Sequence, residues 1–208
     1  MVGSFASRSL ADRLARSLAE HRAVSLKELL ESFEFHARTR RRVRTRVVAD
    51  LCCGHGLTGM LFGLEREVEE VILIDKVRPP SFELILRALV EVAPQLRTKV
   101  RFHEVALDGA AALLPPGAAV VGVHACGRKT DGCIDAGIAT GGPIAVMPCC
   151  YPKSMAGAPR VLKSALGSMI SVDVHRTYRL HEAGYQVDWT AIPEAVSPMN
   201  RILVATRP

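Results

Sequence analysis

The chain has 208 residues, of which 49% are hydrophobic and 23% charged, and its 27 lysines and arginines against 21 aspartates and glutamates give a formal charge of +6. That length suits one domain, or one domain with a helical extension, whose core needs no disulfide support, and no apolar run reaches the roughly 20 residues of a membrane-spanning helix. The opening residues lack the basic and then apolar plan of a secretory leader, and the adjacent pairs Cys52-Cys53 and Cys149-Cys150 suit no disulfide framework, so the expectation is a cytoplasmic protein with reduced thiols.

Leu10, Leu14 and Leu18 recur every four residues, and Leu26, Leu29, Leu30 and Phe33 follow at i, i+3, i+4 and i+7. The first forty residues therefore read as two amphipathic helices, the second opened by a capping box of Ser25 and Glu28. Residues 38–46 then hold six arginines, Arg38, Arg40, Arg41, Arg42, Arg44 and Arg46, with no acid among them, while the rest of the chain carries 21 basic and 21 acidic residues. This segment reads either as a contact for RNA phosphates, with Arg40, Arg41 and Arg42 at its centre, or as a solvated helix end whose arginines complement the macrodipole. Residues 1–45 form an N-terminal helical extension and residues 46–208 the main domain in this reading.

A short β-type run, Arg46-Val47-Val48-Ala49-Asp50-Leu51, stops at Cys52-Cys53-Gly54-His55-Gly56-Leu57-Thr58-Gly59, a glycine-rich turn leading into a helix. A second strand over 71–74 ends at Asp75 and precedes Pro79-Pro80 and a helix over 81–92. Strands at 100–105, 119–123 and 143–147 alternate with helical segments, which builds a parallel sheet covered on both faces. After a helix around 171–183 come strands at 186–192 and 201–205, too close for a helical crossover and so expected to pair antiparallel. The fold class expected is α/β and Rossmann-like, a mostly parallel seven-stranded sheet with a reversed C-terminal strand.

In such sheets ligands bind beyond the carboxyl ends of the strands, commonly at the first βα turn. Gly54, Gly56 and Gly59 match G-x-G-x-x-G, and Asp75 closes the next strand where a carboxylate accepts both hydroxyls of a ribose. Asp50, just before the turn, suits a cofactor with an ammonium group better than one with a pyrophosphate. The alternative is that the glycines only make a tight turn and that Asp50 and Asp75 only cap helices. These residues and the reversed final strand resemble class I methyltransferases, whose first motif reads Asp-Leu-Gly-Cys-Gly-Thr-Gly; Cys52 replaces the first of those glycines and His55 a small residue. The resemblance implies S-adenosylmethionine as cofactor, held by Asp50, Cys52, Gly54, His55 and Gly56 at the first turn. Asp75, Lys76, Val105, Ala106 and His124 complete that set.

His124-Ala125-Cys126-Gly127, Thr130-Asp131, Pro148-Cys149-Cys150-Tyr151 and Asn200-Arg201 resemble a narrower group, covering the chain from about Val47 onward. It comprises the methyltransferase domain of glutathione S-transferase C-terminal domain-containing proteins and the related eukaryotic transfer RNA ribose methyltransferases. The amino-terminal zinc-binding segments of the transfer RNA enzymes have no counterpart here. The resemblance implies methyl transfer to an oxygen or nitrogen acceptor, with RNA, transfer RNA included, as the leading substrate class. His124, Asp131 and Tyr151 are then candidate catalytic residues. Cys149, Cys150, Tyr151, Asn200 and Arg201 would face the acceptor together with Arg40, Arg41 and Arg42.

His124 reads equally as a general base or as a packed histidine at a strand end; Thr130-Asp131 either orients substrate or caps a helix. Competing functions are methyl transfer to a protein or small molecule, a nicotinamide-dependent oxidoreductase lacking the Tyr-x-x-x-Lys pair, and a non-catalytic RNA-binding module. Cys52, Cys53, Cys126, Cys149 and Cys150 all follow neighbouring strands and are expected to converge on one rim. They lack C-x-x-C spacing and cysteine is a common small buried residue, so no metal is assigned.

Overall fold

The computed structural model describes residues 5–151 and 158–208. Seven strands form one sheet in the order β3-β2-β1-β4-β5-β7-β6. They are β1 (Val47–Leu51), β2 (Glu70–Asp75), β3 (Val100–Glu104), β4 (Ala119–Val123), β5 (Ile144–Met147), β6 (Gln186–Ala191) and β7 (Arg201–Thr206). The first five run parallel, while β7 inserts antiparallel between β5 and β6. The chain moves outward from β1 through β2 to β3 and then returns to place β4 on the other side of β1. This reversal opens a crevice at the carboxyl ends of β1 and β4.

The central strands are apolar on both sides because helices cover both faces. Val48, Val71, Leu73 and Val121 point into one buried cluster, and Ala49, Leu51, Ile72, Ile74 and Val120 into the other. On the first face lie α1 (Leu10–Glu20), α2 (Leu26–Thr39), α3 (Leu57–Phe62) and α4 (Ser81–Val92). The capping box of Ser25 and Glu28 forms at the start of α2. Leu14, Leu18, Leu29 and Phe35 are buried in the same core as β1 and β2, a burial of about 1.5–3 kcal/mol for each large side chain. Ser17 Oγ donates to the Ala88 carbonyl at 2.8 Å, fixing α1 on α4. The first two helices thus share the hydrophobic core of the sheet, and α2 ends up as a wall of the crevice.

The other face carries α6 (Arg128–Thr140) and α7 (Arg160–Glu182), the latter broken at Gly167, which adopts φ 76° and ψ 160°. That helix begins eleven residues before the expected 171. A four-residue turn α5 (Leu96–Lys99) and a 3-10 turn over Leu107–Leu113 complete the elements. No helix among the described residues is long and apolar enough to cross a membrane.

Candidate functional site

A pocket of about 260 Å³ lies at the crevice, walled by the first turn, the end of β4 and the start of α2. Asp50 is buried at its floor, its Oδ2 accepting from the Gly59 amide at 2.9 Å. A Cβ on Gly59 would stand 2.4 Å from Leu73 Cδ2 and 2.8 Å from Asp50 Cβ, so the third glycine of the motif is what lets α3 press against the strands. Burial pushes the Asp50 carboxyl up to about 8, against the lowering effect of the Gly59 amide.

At the end of β2, Asp75 Oδ2 accepts from the Gly54 amide at 2.8 Å and Oδ1 from the Lys76 amide at 2.7 Å. The carboxylate is half-buried on the rim, with lone pairs to spare. Val105 is tied to the Asp75 carbonyl through its amide at 2.9 Å. Beyond it, Lys76, Ala106, Leu107, Arg128 and Lys129 border an open hollow of about 660 Å³. Lys76, Val105 and Ala106 therefore stand together at the outer end of the crevice.

β1 and β4 are each followed by a non-glycine residue with left-handed backbone, Cys52 at φ 56° and His124 at φ 59°. Such strain costs on the order of 1–3 kcal/mol and concentrates where a site dictates the backbone. The left-handed turn at 52 also gives the physical reason for a glycine there in the motif that this turn resembles. His55 Nδ1 accepts from the Leu57 amide at 3.2 Å, and burial holds the imidazole below its usual value. Its proton is then on Nε2, 3.7 Å from Glu28 Oε1.

Three residues of the pocket lie on α2 and were not expected there: Glu28, known from the sequence only as part of the capping box, and Glu31 and Ser32, which carry no sequence motif. Glu31 Oε2 lies 2.9 Å from His124 Nε2, with the Glu31 side chain only 4% exposed. Its other oxygen has no hydrogen-bond partner among the described residues and sits 3.8 Å from Lys27 Nζ. A usable sign was present in the sequence: Glu31 and Ser32 fall between Leu29 and Phe35 on the buried side of α2, where a solvated helix would keep apolar residues.

Other expected residues do not gather here. Tyr151 donates its hydroxyl to Asp173 at 2.6 Å, and Arg201 Nη1 reaches the same carboxylate at 2.6 Å. The fully buried Arg176 joins Asp173 at 3.1 Å to Asp131 at 3.0 Å. Asp131 and Tyr151 are thus members of a structural ion network, and burial beside Asp173 pushes the Tyr151 phenol up, keeping its proton in place. Asp131 is not the cap of α6, since Gly127 precedes that helix and Thr130 donates to the Ala125 carbonyl. Asn200 Nδ2 spends its bond on the Ile192 carbonyl at 2.8 Å, and the hollow it lines with Tyr151 and Arg201 holds about 30 Å³. Asp173 and Arg176 were invisible as a site because nothing in a helical segment announces a buried charge pair.

The arginine segment lies at the opposite end of β1 from the crevice. Arg40 pairs with Glu65 at 3.2 Å, Arg42 with Asp188 at 2.6 Å, Arg44 with Glu67 at 3.3 Å and Arg46 with Glu69 at 2.6 Å, while Arg38 pairs with Glu34. Arg41 is exposed. Folding supplies the acids that the local sequence lacks, so Arg40, Arg41 and Arg42 are not part of the crevice. The cysteines also divide. Cys126, Cys149 and Cys150 come together, whereas Cys133, whose thiol donates to the Leu51 carbonyl at 3.9 Å, lowers the pKa of the neighbouring Cys52, and Cys53 is packed beside Asp50 where burial pushes its thiol up.

This sheet order, its reversed seventh strand and the crevice at β1 and β4 define the Rossmann-like fold of class I methyltransferases. The fold is shared with an O-methyltransferase family protein from Burkholderia thailandensis, 19% identical over 99% of this chain and 66% of that one, with a TM-score of 0.52. It is shared too with a transfer RNA methyltransferase of B. subtilis, 14% identical over 84% of this chain and 65% of that one, TM-score 0.53. This chain therefore spans just under two thirds of the length of either. A geranyl diphosphate methyltransferase in complex with S-adenosylmethionine matches over 99% of this chain and 94% of its own, at 10% identity and a TM-score of 0.56. No family model matches the sequence, and no curated protein matches it.

Proposed function

We propose that the chain is an S-adenosylmethionine-dependent methyltransferase acting on an oxygen or nitrogen acceptor. The observation that carries this reading is the pair of buried carboxylates, Asp50 and Glu31, in one small pocket, one Glu31 oxygen having no hydrogen-bond partner. Burying carboxylate charge without full pairing is costly, so Asp50 keeps its proton until a cationic ligand relieves that cost. An amino-acid ammonium and a sulfonium fit this donor set; the pyrophosphate of a dinucleotide would meet Glu31 and Glu28 with like charge. Asp75 at the rim is placed to accept the two hydroxyls of a ribose, and the hollow beside Lys76 and Ala106 has room for a base.

S-adenosylmethionine, when bound, supplies an electrophilic methyl group. The chain's own part is to orient the acceptor, exclude water and remove the acceptor's proton. His124, at the end of β4, is the base in this reading. Glu31 fixes its Nε2, which leaves Nδ1 for the acceptor and stabilises the imidazolium that proton removal creates. The strained backbone at His124 and Cys52 serves to aim both side chains from adjacent strand ends.

The narrower likeness to methyltransferase domains of glutathione S-transferase C-terminal domain-containing proteins and transfer RNA ribose methyltransferases rests on His124-Ala125-Cys126-Gly127 and Pro148-Cys149-Cys150-Tyr151. RNA as acceptor follows from that likeness, and Lys76, Arg128 and Lys129 on the rim would meet its phosphates in place of the arginine segment. Incubating the chain with radiolabelled cofactor and fractionated RNA, protein and small-molecule pools tests both levels. Label in RNA supports the whole reading. Label in another pool moves the acceptor, and no label in any pool overturns the enzymatic assignment.

A further inference from the structure

Cys126 follows β4 and Cys149 and Cys150 follow β5, and these strands run side by side with Val123 opposite Met147. The His124 amide donates to the Met147 carbonyl at 3.1 Å, so the two strand ends stay locked as they leave the sheet. The result is a triangle of sulfurs: Cys126 to Cys149 at 3.2 Å, Cys126 to Cys150 at 3.2 Å and Cys149 to Cys150 at 3.5 Å. A core-packing role does not account for it. Cys126 and Cys150 are exposed, in contrast to Cys133, which is buried in the sheet-facing core as a small apolar residue. The three thiols, two of them exposed and one half-buried, bury little apolar surface, and among the described residues their hydrogen bonds are with one another.

We propose that Cys126, Cys149 and Cys150 form a binding site for a soft or borderline divalent cation of the zinc class, with three thiolate ligands and a fourth position open to solvent or to an incoming ligand. Zinc to sulfur bonds are about 2.3 Å, so a tetrahedral centre needs sulfurs about 3.8 Å apart. The triangle is a few tenths of an ångström tighter than that, and the ion would spread it slightly while seating itself above the plane on the solvent side. On binding, each thiol gives its proton to solvent and forms one bond to the metal, with no change of oxidation state. Spacing hid the site because its ligands come from two strand ends and include an adjacent Cys-Cys pair, which a search for C-x-x-C passes over. The ion would clamp the ends of β4 and β5 together and fix the wall that leads from His124 to Tyr151.

The test uses the whole chain, purified under reducing conditions, with zinc alone as the probe in competition against a chromophoric chelator and with cobalt as a spectroscopic substitute. One zinc per chain is expected, together with thiolate-to-cobalt charge-transfer absorption and the intense ligand-field bands of a tetrahedral site. Cys126→Ser, Cys149→Ser and Cys150→Ser should each weaken zinc binding by at least about 100-fold, since even supporting residues around a metal cost 10- to 100-fold. Cys52→Ser should retain the site. Because the ligands lie at the surface, far-ultraviolet circular dichroism should show all four variants folded. Absence of stoichiometric zinc, cobalt bound without a thiolate band, zinc retained by the three serine variants, or a disulfide between Cys126 and either neighbour in the freshly isolated chain would each overturn the proposal.

Discussion

His124 Nε2 and Glu31 Oε2 stand 2.9 Å apart, joining the end of β4 to a helix 93 positions earlier in the chain. Through this contact α2, which precedes the sheet, becomes a part of the crevice. The two oxygens of Glu31 have different surroundings, one against the imidazole and the other buried without a hydrogen-bond partner, 3.8 Å from Lys27 Nζ. Substituting the two residues should therefore give different kinetic signatures. His124→Ala should lower kcat by about 10²–10⁴, the usual worth of a positioned base, with cofactor affinity held within a few-fold. Glu31→Gln should depress both kcat and cofactor affinity. Equal loss of affinity in the two variants, in steady-state kinetics paired with calorimetry, would argue against a base at 124.

Asp50 predicts a pH dependence whose sign follows from its position. Its folded-state value stands at about 8, above the ordinary 3.8, so between those limits the folded chain holds a proton that the unfolded chain has released. The stability contributed by Asp50 is intact below about pH 4 and is lost as the pH rises through about 8. Asp50→Asn should remove that decline, and its melting temperature should overtake that of the unsubstituted chain near pH 8. A cationic ligand beside Asp50 should also expel the proton. Cofactor binding at pH 7 is expected to release protons, measured as a dependence of the calorimetric heat on buffer ionisation enthalpy, and Asp50→Asn should abolish most of the release.

The packing of Gly59 against Leu73 and Asp50 leaves no space for a methyl group. Gly59→Ala should push α3 off the strands, break the bond from its amide to Asp50 and lower stability by about 1–3 kcal/mol, the range for an overpacked core position. Urea denaturation gives the stability change, and cofactor titration of the folded fraction should show weakened binding. A variant as stable as the parent with intact binding would mean that the turn is looser than the geometry requires.

Arg176 lies between Asp131 and Asp173 with its side chain wholly buried. Removing it should leave Asp173 buried beside Tyr151 with Arg201 alone to balance it, and breaking a buried pair costs about 3–5 kcal/mol. Arg176→Ala should thus unfold at markedly lower denaturant. Arg42→Ala, which loses only an exposed pair with Asp188, should cost about 0–1 kcal/mol and leave methyl transfer unchanged. Comparable losses in both variants would contradict the distinction between the two networks.

The parts of the structure that were legible in the sequence are those written in local patterns. Apolar runs ending at Asp50 and Asp75, the glycine spacing, and the capping box of Ser25 and Glu28 gave the strands, the first turn and the start of α2. The short link between the last two strands gave their antiparallel pairing. What escaped was set by long-range contact. Glu31 meets His124 only because α2 folds back over the crevice, and Asp173 meets Tyr151 and Arg201 only through tertiary packing. The arginines of residues 38–46 looked unpaired because most of their acids, Glu65, Glu67, Glu69 and Asp188, arrive from the segment between α3 and β2 and from β6. Five cysteines at neighbouring strand ends looked equivalent, yet residues on successive positions of a strand end point in different directions, so Cys52 and Cys53 leave the other three.

The central claim is that the carboxylate-lined pocket between β1, β4 and α2 holds a cationic sulfur nucleoside. Isothermal titration of the purified chain with S-adenosylmethionine, run beside the reduced nicotinamide dinucleotide and repeated with Asp75→Ala, tests it most directly. One site for S-adenosylmethionine, none for the dinucleotide, and an affinity reduced about 10- to 100-fold in the variant, the worth of about 1.5–3 kcal/mol for hydrogen bonds to a charged group, is the predicted result. Binding of the dinucleotide with no heat from S-adenosylmethionine would contradict it.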